Sequence, residues 1–184
     1  TSSATWLASA GSLGYAVRRV NRELTERQVP LMGVTAAFIF AAQMLNFTVA
    51  GGTSGHLLGG ALAAILLGPW AGMLVLTSVL AVQALLFQDG GLLALGANIL
   101  NMAVVGVLVG WLAYGAVRRL LGERPGASLV GGFVAGWLSV FLASLLAAAE
   151  LALSGMSPWG LVVPAMGSVH MLIGLGEGLI TAGV

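Results

Sequence analysis

Between Arg27 and Asp89 the chain reads QVPLMGVTAAFIFAAQMLNFTVAGGTSGHLLGGALAAILLGPWAGMLVLTSVLAVQALLFQ, residues 28–88, with no charged side chain in 61 positions. His56 is the one titratable group within it. A helix that crosses the hydrocarbon layer of a bilayer needs about 20 apolar residues, or about 17 at the short end. The run therefore has room for three short, closely joined crossings, and local breakers divide it. Pro30 falls in the first turn of a helix reaching about residue 49, where a missing N–H costs nothing. Gly51-Gly52-Thr53-Ser54-Gly55 reads as a loop. A short helix follows over about 55–67, broken at Gly68-Pro69, and another over about 70–87.

Outward from this stretch the pattern repeats. Uncharged runs cover residues 90–117, 125–149 and 151–176, each long enough for one crossing. Residues 2–17 make a further, marginal span before Arg18. It is no signal peptide, because its positive charges follow the apolar stretch instead of preceding it. The expectation is an all-α membrane protein: one domain over 1–184, a single bundle of about seven transmembrane helices.

Composition agrees. Of 184 residues 59% are hydrophobic and 7% charged, with a mean hydropathy of +1.03, against about 25% charged in soluble domains. Thirteen Arg, Asp and Glu side chains and no Lys cannot solvate a globular surface of this size. A net charge of +1 and no basic patch exclude a nucleic-acid binder. Without Cys there are no disulfides or thiolate metal sites.

The arginines give the orientation. Arg18, Arg19, Arg22 and Arg27 follow the first helix, and Arg118, Arg119 and Arg124 the fifth. With seven spans these ends share a side, which the excess of positive charge makes cytoplasmic. The loops 51–55, 88–91 and 154–158 contain no Arg and fall outside, as does the N-terminus, while the C-terminus is inside. The pairs Gly106/Gly110, Gly132/Gly136 and Gly174/Gly178 have GxxxG spacing, read as close packing within the bundle in preference to a dimer interface.

Much chemistry is absent. No Lys means no phosphate loop of the G-x-x-x-x-G-K-[ST] type, and there is no G-x-S-x-G elbow or H-E-x-x-H. The scattered Met residues read as packing filler. Polar groups within the apolar spans are more informative, since each is costly there unless bonded or functional. Asn46 (with Gln43) ends the second helix, His56 opens the third, Gln83 lies near the end of the fourth, and Asn98 and Asn101 lie in the outer part of the fifth. Any one amide could serve interhelical hydrogen bonding alone. As a set, behind a glycine-rich loop through Ser54, they point to a binding site facing outward. His170 and Glu177 are seven apart, on one face of the last helix and deeper, as a buried pair or a transport element. Glu150 is expected to be solvated at an outer helix end. The five Trp (Trp6, Trp70, Trp111, Trp137, Trp159) mostly sit near the expected helix ends, like interfacial anchors.

At residues 30–33 (PLMG), 50–60 (AGGTSGHLLGG), 83–91 (QALLFQDGG), 95–102 (LGANILNM) and 170–178 (HMLIGLGEG), the sequence resembles the substrate-binding membrane subunit, of CbiM/NikM type, of cobalt/nickel energy-coupling-factor (ECF) transporters. The motifs occur in the same order over nearly the whole chain. The resemblance implies a metal-capture subunit of an ATP-driven importer, with Ni²⁺ or Co²⁺ as transported substrate, in a bacterial or archaeal inner membrane. It also implies a transmembrane coupling subunit, a small accessory membrane subunit and a cytoplasmic ATPase dimer as partners. Family members begin Met-His-Ile-Pro and hold the ion through the N-terminal amine, the second residue's amide and imidazole, and the histidine that matches His56. This sequence begins Thr1-Ser2-Ser3, so either the start has been removed or left out or the site is incomplete. It stops at Thr181-Ala182-Gly183-Val184, in or just past the seventh helix, and both ends are expected to be trimmed. By the resemblance, His56 is the metal ligand, and Asn46, Gln83, Asn98, Asn101 and Ser54 are pocket candidates around it. Two alternatives stand: a capture subunit for a small organic ligand such as a vitamin, which would want aromatic walls, and an intramembrane enzyme using His170 and Glu177.

Overall fold

The computed structural model describes residues 2–26, 28–49 and 53–184. Arg27 of the first arginine cluster and Gly51 and Gly52 of the expected loop lie outside the described residues. Among the described residues, helix α1 spans Ser2–Glu23, α2 Gln28–Gln43 and α3 Gly60–Leu67. Helices α4 (Pro69–Phe87), α5 (Gly91–Leu121), α6 (Ala127–Leu153) and α7 (Trp159–Gly183) complete the bundle, and these four are long and apolar enough to cross a membrane. A two-stranded antiparallel hairpin, β1 (Asn46–Val49) and β2 (Thr53–His56), stands between α2 and α3.

The hairpin corrects three expectations. The second helix stops at Gln43, not near residue 49, so Asn46 begins a strand instead of closing a helix. Phe47, Thr48 and Val49 favour the extended backbone. Thr53, Ser54 and Gly55 form not a loop but β2, with Asn46 opposite His56 and Phe47 opposite Gly55. The third helix begins at Gly60, so His56 ends a strand and does not open that helix.

Helix α3 is the core. Gly60, Ala61, Leu62, Ala63, Ala64 and Leu67 are all buried, as expected of a helix apolar on every side. Gly59 (φ 76°) and Gly68 (φ 81°) bracket it, and Pro69 then starts α4. At eight residues it rises only about 12 Å, so the expected third span is not a full helix.

The glycines bring the helices together inside the chain. A Cβ on Gly110 of α5 would sit 2.5 Å from Ala61 Cα, and one on Gly136 of α6 would sit 2.9 Å from the Glu177 carbonyl of α7. On α7, one on Gly178 would sit 2.7 Å from the Phe133 carbonyl. The outward faces carry large apolar side chains, among them Leu93, Leu120, Leu172 and Leu179.

Both α4 and α5 depart from regular α geometry. Residues Gln83–Phe87 and Ile99–Gly106 form wide π-type turns, a deviation that often accompanies functional sites. The second places Asn101 and Met102 on the inner side of α5.

Candidate functional site

A cavity of about 580 Å³ lies between α1, β2, α5, α6 and α7. Thr5 from the start of α1, Asp89 and Gly90 from the turn before α5, and Ser154 and Met156 after α6 mark its end of the bundle. Arg18, Arg19 and Arg22 lie 13 or more residues further along α1 from Thr5, about 20 Å at 1.5 Å per residue. The cavity therefore sits toward the end away from the arginines.

Strand β2 delivers His56 to the wall. A Cβ at Gly55 would lie 2.7 Å from Ile173 Cδ1 and 3.1 Å from His170 Nε2, so glycine alone lets the strand lie so close to α7. The His56 Nδ1 is 2.9 Å from the Leu57 carbonyl oxygen. A carbonyl only accepts, so Nδ1 carries the proton and Nε2 keeps the lone pair. His170 repeats the arrangement, with Nδ1 2.8 Å from the Met166 carbonyl. Each imidazole is thus in the tautomer that leaves Nε2 able to bind a cation.

Ser54, His56, Asn98 and Asn101 all line the cavity. Asn46 and Gln83 do not. Asn46 faces His56 in the hairpin register, but its side chain is exposed outside the cavity. Gln83 is buried in the wide turn of α4, away from it. Asn98 Nδ2 packs against Gly90 so closely that a Cβ there would meet it at 2.5 Å.

Three further expectations change. His170 is not confined to a deeper site: it lines the same cavity as His56. It does not pair with Glu177, whose carboxylate instead accepts the Leu58 and Gly59 N–H groups. Glu150 is not simply solvated, because its Oε2 accepts from Asn101 Nδ2 at 2.9 Å on the cavity wall. Trp137 stacks on Phe141 and donates to the Met171 carbonyl.

The residues lining the cavity include two imidazoles, the carboxylates of Asp89 and Glu150, the amides of Asn98 and Asn101, several hydroxyls, and the thioethers of Met102, Met156 and Met166. Asn101 Oδ1 is buried and has no hydrogen-bond partner among the described residues. No Arg and no Phe, Tyr or Trp lines the cavity among the described residues. Such a lining suits a small cation better than an anion or a flat organic molecule. No cluster of three or more His, Asp or Glu side chains forms a complete cage among the described residues.

The family model of the cobalt uptake substrate-specific transmembrane region matches residues 1–184. A protein of Archaeoglobus fulgidus, whose name marks it provisionally as a fused nickel transport protein, is 48% identical over 97% of this chain. The fused nickel transport protein NikMN of Rhodobacter capsulatus is 35% identical over 100% of it, and the cobalt transport protein CbiM of Geobacter sulfurreducens 36% over 98%. The chain spans 58%, 57% and 54% of these three relatives' own lengths. A crystal structure of a transition metal transporter superposes with a TM-score of 0.91 at 34% identity, over 99% of this chain and 85% of that one.

Proposed function

Because the chain belongs to the family of cobalt uptake substrate-specific transmembrane regions, we propose that it is the metal-capture subunit of an ATP-driven ECF-type importer for Ni²⁺ or Co²⁺. It is a multi-pass membrane protein, and in this reading it lies in the bacterial or archaeal inner membrane and takes the ion at the extracellular face. Seven passes fit if residues 57–59 and α3 together make the third. The N-terminus is then outside and the C-terminus inside.

The observation that carries the reading is the cavity itself, which no Arg lines among the described residues and whose wall holds both His56 and His170, each with Nδ1 bonded to a backbone carbonyl and Nε2 left as the acceptor nitrogen. Nitrogen donors suit Ni²⁺ and Co²⁺, and Mg²⁺ and Ca²⁺ prefer oxygen. His56 is the proposed metal ligand, with Ser54, Asn98 and Asn101 around it. The family's N-terminal amine and second residue would complete the set. Partners in this reading are a transmembrane coupling subunit, a small accessory membrane subunit and a cytoplasmic ATPase dimer, the last supplying the nucleotide chemistry for which this chain has no phosphate loop.

Calorimetric titration of the intact protein tests it. Ni²⁺ and Co²⁺ should bind tightly, and Mg²⁺ and Ca²⁺ should not compete. Binding of neither transition metal overturns the proposal.

A further inference from the structure

Two consecutive peptide planes next to His56 are held by side chains from two helices. In the first, the Leu57 carbonyl accepts from His56 Nδ1 and the Leu58 N–H donates to Glu177 Oε2 at 3.0 Å. In the second, the Leu58 carbonyl accepts from Gln43 Nε2 at 2.7 Å and the Gly59 N–H donates to Glu177 Oε1 at 2.6 Å. Glu177 comes from α7 and Gln43 from α2, and their relative exposures are only 3% and 2%. Residues 57–59 have no regular structure, so they lack the hydrogen-bond ladder that would otherwise satisfy these groups. A carboxylate inside an apolar bundle is costly unless it is bonded or functional.

The peptide unit is planar. A carboxylate that fixes the Leu58 N–H therefore also fixes the direction of the Leu57 carbonyl on the opposite edge of the same plane. That carbonyl sets the His56 tautomer and ring orientation. Resting on the metal-capture reading, we infer that Glu177 is a positioning residue for His56, acting through the Leu57–Leu58 peptide, with Gln43 bracing the next plane. The arrangement is a carboxylate–peptide–histidine chain that fixes the ring of a residue lining the cavity and leaves its Nε2 free of the proton. Metal-binding histidines commonly have their other ring nitrogen held by a carboxylate, carbonyl or water, and losing such a partner typically costs about 10–100-fold in affinity.

The test uses the intact protein, Co²⁺ as probe, and both calorimetry and the visible d–d absorption, which reports coordination geometry. Glu177→Gln keeps the size but puts an NH₂ against one of two N–H donors. Gln43→Leu removes the brace from the other helix. Both should weaken Co²⁺ binding, Glu177→Gln by about 10–100-fold, and both should change the d–d bands. Ser139→Ala is the control: its buried hydroxyl bonds the Gly106 carbonyl, so it should lower the melting temperature and leave affinity and spectrum unchanged. If Glu177→Gln folds and binds with parental affinity and spectrum, the inference is overturned. If it does not fold, a parental result for Gln43→Leu overturns it. If His56→Ala itself binds like the parent, the capture reading fails and the inference goes with it.

Discussion

Asn101 of α5 donates a hydrogen bond to Glu150 of α6 across 2.9 Å. The bond ties the wide turn of α5 to the cavity end of α6, on a wall that both residues line. Removing the donor leaves a partly buried carboxylate without its amide, which costs about 1–3 kcal/mol. Asn101→Ala should lower stability by that amount. In a double-mutant cycle with Glu150→Gln the two losses should be coupled, by about 0.5–3 kcal/mol. Denaturation of the four proteins in one detergent measures both, and simple additivity would count against a direct bond.

The helix–helix glycines separate into two classes. Gly178 has no room, since a Cβ would meet the Phe133 carbonyl at 2.7 Å, whereas Gly115 in α5 has nothing within 4 Å. Gly178→Ala must push α7 off α6 and should cost about 1–3 kcal/mol, as overpacking typically does. Gly115→Ala should be neutral or stabilising by up to about 1 kcal/mol, from helix propensity alone. Melting temperatures of the two variants decide it; equal effects would count against a steric limit at Gly178.

The parts of this architecture legible in the sequence are those written in local residues. Gly68-Pro69 marks the start of α4, and the charge-free runs mark α5, α6 and α7. The hairpin is hidden because residues 28–49 carry no charge and are mostly apolar, with only Gln28, Thr35, Gln43, Asn46 and Thr48 between the apolar residues, and a nearly continuous apolar run does not reveal its period. The β-branched Thr48 and Val49 were the local hint. In the site, His56, Ser54, Asn98 and Asn101 could be grouped because each lies near the same end of its segment. Glu150 could not be matched with Asn101, 49 positions away, by any local rule. His170 and Glu177 share a helix face, yet seven residues rise about 10.5 Å. That is too far for a hydrogen bond, so each finds a partner on another element.

Topology is testable because the chain has no cysteine of its own. Met156, exposed in the turn between α6 and α7, lines the cavity end of the bundle. Glu123, almost fully exposed, lies between α5 and α6 beside the second arginine cluster. Met156→Cys should react with a membrane-impermeant thiol reagent in intact cells, and Glu123→Cys should react only after lysis. The opposite pattern would invert the proposed orientation.

The last prediction separates the two imidazoles. Both share the cavity, but they are carried differently: His170 by a regular turn of α7 and His56 by the end of a strand, braced through residues 57–59. His56 is the proposed ligand, so His56→Ala should abolish high-affinity Ni²⁺ or Co²⁺ binding in the intact protein without unfolding it. Asn98, which lines the cavity beside Gly90, should matter less: Asn98→Ala should weaken binding by about 10–100-fold, as losses around a metal ligand do. His170 Nε2 lies against Gly55, the residue before His56, so His170→Ala should weaken binding less than His56→Ala does and should shift the melting temperature as well. Calorimetric titration of the three variants, with the melting temperature of each, orders them. Parental affinity in His56→Ala together with lost binding in His170→Ala would move the ligand from β2 to α7.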